Sequence, residues 1–265
     1  MTIRLAWALG IAAVGAQIAY PLTTGSARDH VSVTVVVLLA AACTIHAAVT
    51  RGLRWSAGLL AVTAGGGLLV EAIGVATGLP FGAYSYASGR LGPSVAHVPL
   101  IIGLAWTAGA YPAWCAAERV ARGRHGMRLL LAGVGLAGWD LYLDPQMVAD
   151  RRWSWAPSFA SLPGVPDIPL SNYLGWLLTA LVMVAALDLV TELPARGYRR
   201  DALPFTLYLW TWLGSGLAHA VFLGLGASAV YGFAAMSLLG WPLLASLRGT
   251  TGGGEKARRA VPASF

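Results

Sequence analysis

The chain has 265 residues, 57% of them hydrophobic and 11% charged, where a soluble domain carries roughly a quarter charged residues. This excludes a soluble globular enzyme and points to a protein built inside a bilayer. The formal net charge of +7 falls in short loops between apolar runs, so it reads as positive-inside topology, with membrane lipid as a partner and no nucleic acid.

A membrane-spanning helix needs about 20 apolar residues. In chain order the sequence offers eight such runs, at about 5–22, 32–49, 56–78, 99–117, 129–144, 172–190, 205–224 and 227–247. The predicted fold is an all-α, polytopic integral membrane helical bundle of about eight transmembrane helices. Merging the last two runs across Gly224-Leu225-Gly226-Ala227 would give seven. Residues 1–248 read as a single transmembrane domain and 249–265 as a disordered basic cytoplasmic tail. Arg4 ahead of the first run looks like the start of a signal peptide, but the charge pattern fits a retained helix better. When the runs alternate, Arg28, Arg90, Arg151 and Arg152 fall on one side. The other fourteen of the 18 Lys and Arg residues fall on the opposite side, in the loops after the second, fourth and sixth runs and at both ends of the chain. That asymmetry puts both termini in the cytoplasm, with the bundle in the plasma membrane. Cys43 and Cys115 lie in apolar helices, so neither a disulfide nor a metal site is expected.

An ionisable residue inside an apolar run costs roughly 2.5–3.5 kcal/mol on insertion scales, so each is a candidate for function. Glu71 lies roughly 26 Å along the third run, and Asp140 and Asp144 roughly 18 and 24 Å along the fifth. At i and i+4 the two aspartates share a helix face. Two like charges that close rarely both stay ionised, so the pair is a candidate proton donor and acceptor. Trp106 on the fourth run, Trp139 and Tyr142 on the fifth, Asn172 and Trp176 opening the sixth, Gln17 on the first and His219 on the seventh fall near the same level. Tyr84 and Tyr86 sit in one outer loop and Trp153 and Trp155 in another; in an extended loop Tyr84 and Tyr86 point the same way. Each residue also has a structural reading. Glu71 can close a span, Asp144 can end a helix before Pro145, and Asn172 can cap one. Trp153 and Trp155 read more readily as an interfacial belt, and His219 as a packing residue. His46 and Asp188 read as structural.

Three blocks of sequence resemble the membrane carotenoid hydratase family, which includes the bisanhydrobacterioruberin hydratases and the carotenoid 1,2-hydratases. The first block runs from Glu71 through Gly74, Gly78, Pro80, Phe81 and Gly82 to Tyr84 and Tyr86. The second comprises Leu91-Gly92-Pro93, Val98-Pro99 and Trp106. The third is Trp139-Asp140-Leu141-Tyr142-Leu143-Asp144-Pro145-Gln146-Met147-Val148, with Trp153, Trp155 and Asn172-Tyr173-Leu174-Gly175-Trp176 following. His97 and the linker from Ser158 to Pro169 depart from the family pattern and bear on substrate identity.

The resemblance implies addition of water to the terminal isopropylidene double bond of a long acyclic carotenoid, giving a tertiary alcohol. Other carotenoid-pathway enzymes would be partners, and no cofactor would be needed. The residues agree with that chemistry: a buried carboxylic acid can protonate the alkene, aromatic faces can stabilise the tertiary cation, and a second carboxylate can orient water. Asp140, Asp144 and Glu71 are the catalytic candidates. Trp106, Trp139, Tyr142, Tyr84, Tyr86, Asn172, Trp176 and His219 are the substrate-binding candidates. Three alternatives stand beside this reading: a carotenoid end-group cyclase, a membrane prenyltransferase using Asp188 and Glu192 as a second acidic cluster, and a proton-coupled carrier. The substrate is expected to enter by a lateral cleft between the third, fourth and fifth runs.

Overall fold

The structure, a computed structural model, describes residues 2–157, 160–190 and 201–259. Ser158, Phe159, Glu192, Arg196, Arg199 and Arg200 lie outside the described residues, as do residues 260–265.

The apolar runs fold as helical rods. They are α1 (Ile3–Ala19) with a short 3-10 turn (Tyr20–Leu22), α2 (Gly25–Arg51), and α3 (Leu53–Leu60) joined through a π-turn (Ala61–Gly65) to α4 (Gly66–Thr77). After them come α5 (Leu100–Ala121), α6 (His125–Ala149), α7 (Leu170–Val190), α8 (Ala202–Leu217) with a π-turn (Ala218–Phe222), and α9 (Gly226–Arg259). Six of these rods are long and apolar enough to cross a membrane. The other two are α6, whose apolar run is interrupted by Asp140 and Asp144, and the 16-residue α8 with its π-turn. The protein is an all-α polytopic membrane bundle. A turn at Leu223–Leu225 separates α8 and its π-turn from α9, so the last two runs remain distinct. The helix of α9 continues to Arg259, into the segment 249–265 read from sequence as disordered.

Eight alternating rods bring both ends of the described chain to one end of the bundle. That end is tied by ion pairs. Arg51 binds Asp201 through both guanidinium nitrogens, at 2.9 and 2.8 Å, and Arg128 meets Asp188 at 2.7 Å. The opposite end, the loop end, carries the long connections with short strands β1 (Tyr84–Tyr86), β2 (Ser94–Val95), β3 (Val98–Pro99), β4 (Trp153–Trp155), β5 (Ser161–Leu162) and β6 (Val165–Pro169). Here Arg152, fully buried, donates to Asp29 (2.9 Å) and to the Tyr20 hydroxyl (2.9 Å). Arg90 grips Asp29 with two bonds of 2.8 Å, and Arg28 pairs with Asp150 at 2.8 Å. The corner between α1 and α2 is thereby fastened to the loops that follow α4 and α6.

One boundary differs from expectation in a way that matters. The fifth run was expected to end near 144, because proline lacks the N–H that continues a helix. Instead α6 carries Pro145 internally and runs on to Ala149. Asp144 is therefore not a water-facing helix end; it is 2% exposed, inside the helix.

Candidate active site

Glu71 projects from the last turns of α4 and is 4% exposed. Its partners come from a two-stranded antiparallel ribbon in which Tyr84 faces Trp155, Ser85 faces Ser154 and Tyr86 faces Trp153. Side chains alternate along a strand, so the four aromatics share one face and turn inward, while the two serines lie exposed on the other. Tyr84 and Tyr86 donate to Glu71 Oε2 at 2.5 and 2.8 Å, and Trp106 Nε1 donates to Oε1 at 3.1 Å. Gly74 makes this approach possible: a Cβ there would lie 2.8 Å from the Tyr84 hydroxyl. Burial pushes both phenols well above their ordinary titration range, and the Glu71 charge pushes them further. They remain hydrogen-bond donors throughout the neutral and mildly alkaline range.

Asp140 and Asp144 project from α6, one turn apart. The Asn172 amide, opening α7, donates to Asp140 Oδ2 at 3.1 Å and to Asp144 Oδ2. Trp153 Nε1 donates to Asp144 Oδ1 at 3.0 Å. Asp140 Oδ1 is buried with no hydrogen-bond partner among the described residues. The Oδ2 atoms of the two carboxyl groups thus converge on one amide nitrogen. Two carboxyl groups that converge in this way favour a shared proton over two charges.

Between the two acidic groups lies an aromatic wall. Trp106 and Trp176 stack with ring centroids 4.0 Å apart and planes 15° off parallel, and Trp139 meets Trp176 edge-on at 6.4 Å. Glu71, Tyr84, Tyr86, Trp106, Trp139, Tyr142, Asp144, Asn172 and Trp176 all border one cavity of about 850 Å³. The structure thus gathers nine of the eleven sequence-derived site residues around one space. Asp140 and His219 do not border it; both are fully buried one layer behind its wall. The cavity reaches from the aromatic ribbon inward to Pro112, Thr206 and Tyr208. Pro112 is roughly 18 Å along α5 from its loop-end start, at 1.5 Å per residue.

The entrance is not where the sequence suggested. The only residue of α3 and α4 on the cavity wall is Glu71. The third and fourth rods close on each other through glycines. A Cβ on Gly67 would sit 2.5 Å from Trp106, and one on Gly103 would sit 2.7 Å from the Ala64 carbonyl oxygen. The cavity instead reaches the lateral surface between the first and seventh rods, where the exposed residues Ile18, Leu22, Leu213, Leu217 and Phe222 border it. A hydrogen bond from Trp210 Nε1 to Gln17 Oε1, 2.8 Å long, crosses the gap.

Sequence reasoning passed over several residues at the site. Trp153 and Trp155 were read as an interfacial belt, but Trp153 holds Asp144 and Trp155 donates to the Phe81 carbonyl at 2.9 Å. The signal available was the matched Tyr-Ser-Tyr and Trp-Ser-Trp alternation. Gln146 borders the cavity and was not singled out. Asp188 lies at the opposite end of the bundle, bonded to Arg128 and to Trp114 Nε1 (3.0 Å), so it shares no space with Asp144.

A cavity deep enough for an extended apolar molecule, entered from the lipid side and acidic at one end, suits a reaction at the end of a membrane-dissolved chain. No curated protein and no solved structure matches this sequence. The profile of the carotenoid biosynthesis proteins matches residues 31–239, which include all of α4 to α8 and both acidic groups, and the chain belongs to that family.

Proposed function

We propose that the protein is a cofactor-independent carotenoid hydratase that adds water to the terminal isopropylidene double bond of an acyclic carotenoid. The observation that carries this reading is the pairing of two aspartates bridged by the Asn172 amide with a separately held glutamate on one aromatic-walled, lipid-accessible cavity. Asp144, the aspartate on the wall, gives its proton to the less substituted alkene carbon, and the π electrons form that C–H bond. The tertiary cation left behind lies against the faces of Trp106, Trp139 and Trp176, which attract positive charge. Glu71, fixed by three donors, is assigned the counter-charge; its three hydrogen bonds oppose the cost of burying a carboxylate. A water oxygen then bonds to the cationic carbon, and its extra proton returns to the Asp140–Asp144 pair. Asp140 shares that proton from behind and keeps Asp144 supplied. No electrons leave the system, so no redox partner enters the balance.

The reading places the loop end outside a plasma membrane and both termini in the cytoplasm, because the basic residues crowd the opposite end. Single cysteines at Arg124 and Arg151, labelled in intact cells, should react from opposite sides; labelling of both from the same side would overturn this topology. Function is tested by expressing the chain in a host that accumulates acyclic carotenoids. A pigment heavier by one water supports hydration. An isomer of unchanged mass would mean cyclisation, which starts from the same protonation but excludes water.

A further inference from the structure

The aromatic wall of the cavity is set back on glycines. Trp106 is seated on Gly67 of α4 and Tyr142 on Gly232 of α9, where an added Cβ would meet side-chain atoms at 2.5 and 2.6 Å. A third seat, Gly109, bears on the chemistry. It lies three residues after Trp106 on α5, so the two share a helix face. The benzo ring of Trp139, from α6, rests on it. A Cβ at position 109 would lie 2.5 Å from Trp139 Cε3, where ordinary contact begins at 3.4 Å, a shortfall of about 0.9 Å. Both residues border the cavity and both are half-buried. Trp106 is fixed by its bond to Glu71. The Trp139 indole has no hydrogen-bond partner among the described residues, so packing alone sets its plane.

Trp139 also has a defined place beside the acid. On α6 it precedes Asp144 by five residues; on α7 its edge-on neighbour Trp176 follows Asn172, the partner of Asp144, by four. The two indoles therefore wall the inner side of the space next to Asp144, roughly 6–8 Å further in.

We infer that Gly109 is a positioning residue that decides the outcome of the reaction: by letting Trp139 lie back, it leaves room for water beside the cation. This rests on the hydratase reading. The cation formed by protonation has competing fates. When a water oxygen bonds to it and the extra proton passes to the aspartate pair, the product is the alcohol. When no water is in place, the electrons of an adjacent C–H bond form a new double bond and that proton goes to the aspartate pair. Alternatively, a neighbouring double bond of the chain closes a ring onto the cation before the proton is lost. Either product is an isomer with the mass of the substrate. One water takes up roughly 30 Å³, and an indole face advanced by about 0.9 Å fills a volume of that order. A methyl at position 109 thus displaces the water without touching Asp140, Asp144 or Glu71.

The test uses the full-length protein in liposomes, an acyclic carotenoid and water labelled with heavy oxygen, and reads the ratio of alcohol to isomer. Wild type should give labelled alcohol. Gly109→Ala should lower the ratio on the order of ten- to a hundredfold, the scale of a misplacement near 1 Å, while total substrate consumption falls less. Phenylalanine at 139 has no benzo ring to meet the new methyl. Gly109→Ala with Trp139→Phe should therefore recover the ratio of Trp139→Phe alone, a rescue that a general loss of packing would not give. Trp139→Phe by itself should consume substrate more slowly, at a ratio no lower than wild type. Labelled alcohol from wild type with an unchanged ratio in Gly109→Ala, or a ratio still low in the double variant, would overturn the role of Gly109 alone. Were Gly109→Ala not to fold, a Trp139→Phe ratio below wild type would overturn it. Absence of label in the wild-type product would overturn the hydratase reading, and the role of Gly109 with it.

Discussion

Glu71→Gln separates the structural from the chemical role of the glutamate. The carboxylate takes two phenol hydrogens on Oε2 and one indole hydrogen on Oε1. Glutamine keeps one oxygen. The less costly orientation leaves that oxygen on the two tyrosines and turns the NH₂ toward Trp106, whose indole can only donate. The orphaned indole N–H costs about 1–3 kcal/mol. Trp106→Phe removes the hydrogen while keeping a ring stacked on Trp176. In that background the Glu71→Gln stability cost should shrink by the same 1–3 kcal/mol, measured as a double-mutant cycle by denaturant unfolding in detergent. Turnover should behave differently. Loss of the fixed negative charge facing the cation should lower kcat about 10²–10³-fold, the scale of removing one preorganised electrostatic group, and Trp106→Phe should not restore it. Near-normal turnover by folded Glu71→Gln protein would refute the assignment of Glu71 as counter-charge. A coupling energy of zero would refute the hydrogen-bond argument.

Three further outcomes follow from the same geometry. Asp144→Asn and Asp140→Asn should each lower turnover by roughly 10²–10⁴-fold, the usual worth of a general acid, with Asp144→Asn the slower; membrane insertion, followed by protease protection, should be unchanged. Ile18→Trp with Leu213→Trp narrows the lateral mouth and should lower kcat/KM for a membrane-dissolved polyene by at least about tenfold; an unchanged value would move the entrance elsewhere. Tyr84 and Tyr86 have folded-state pKa values raised above the ordinary 10.0, first by burial and then by Glu71. Their stabilisation is complete below pH about 10, where unfolded tyrosine begins to ionise, and is lost as pH rises beyond it. Unfolding midpoints should fall above that pH, and less steeply in the Tyr84→Phe, Tyr86→Phe double variant; equal slopes would contradict the burial of these phenols.

Depth along the helices was legible from sequence because an apolar run fixes its own length and rise. That arithmetic, with the i, i+4 spacing of Asp140 and Asp144, brought the acidic residues to one level. The alternation in Tyr84-Ser85-Tyr86 likewise predicted two phenols on one face, and both reach Glu71. What stayed hidden depends on partners distant in the chain. Trp153 looks like any interfacial tryptophan until its strand pairs with Tyr86. Pro145 reads as a helix stop because a hydroxyl from α9 that replaces the missing N–H cannot be seen locally. The entrance was misplaced because close packing at Gly67 and Gly103 depends on which glycines face which side chains.

The central claim is that this site adds water to an alkene by carboxylic-acid protonation. It is tested most directly by incubating the purified protein with an acyclic carotenoid in deuterated water carrying heavy oxygen, then locating the label by mass spectrometry. The account predicts a tertiary alcohol with one heavy oxygen on the cationic carbon and one deuterium on its neighbour, and no such product from Asp144→Asn. A deuterated product of unchanged oxygen content, or an alcohol formed equally well without Asp144, would contradict it.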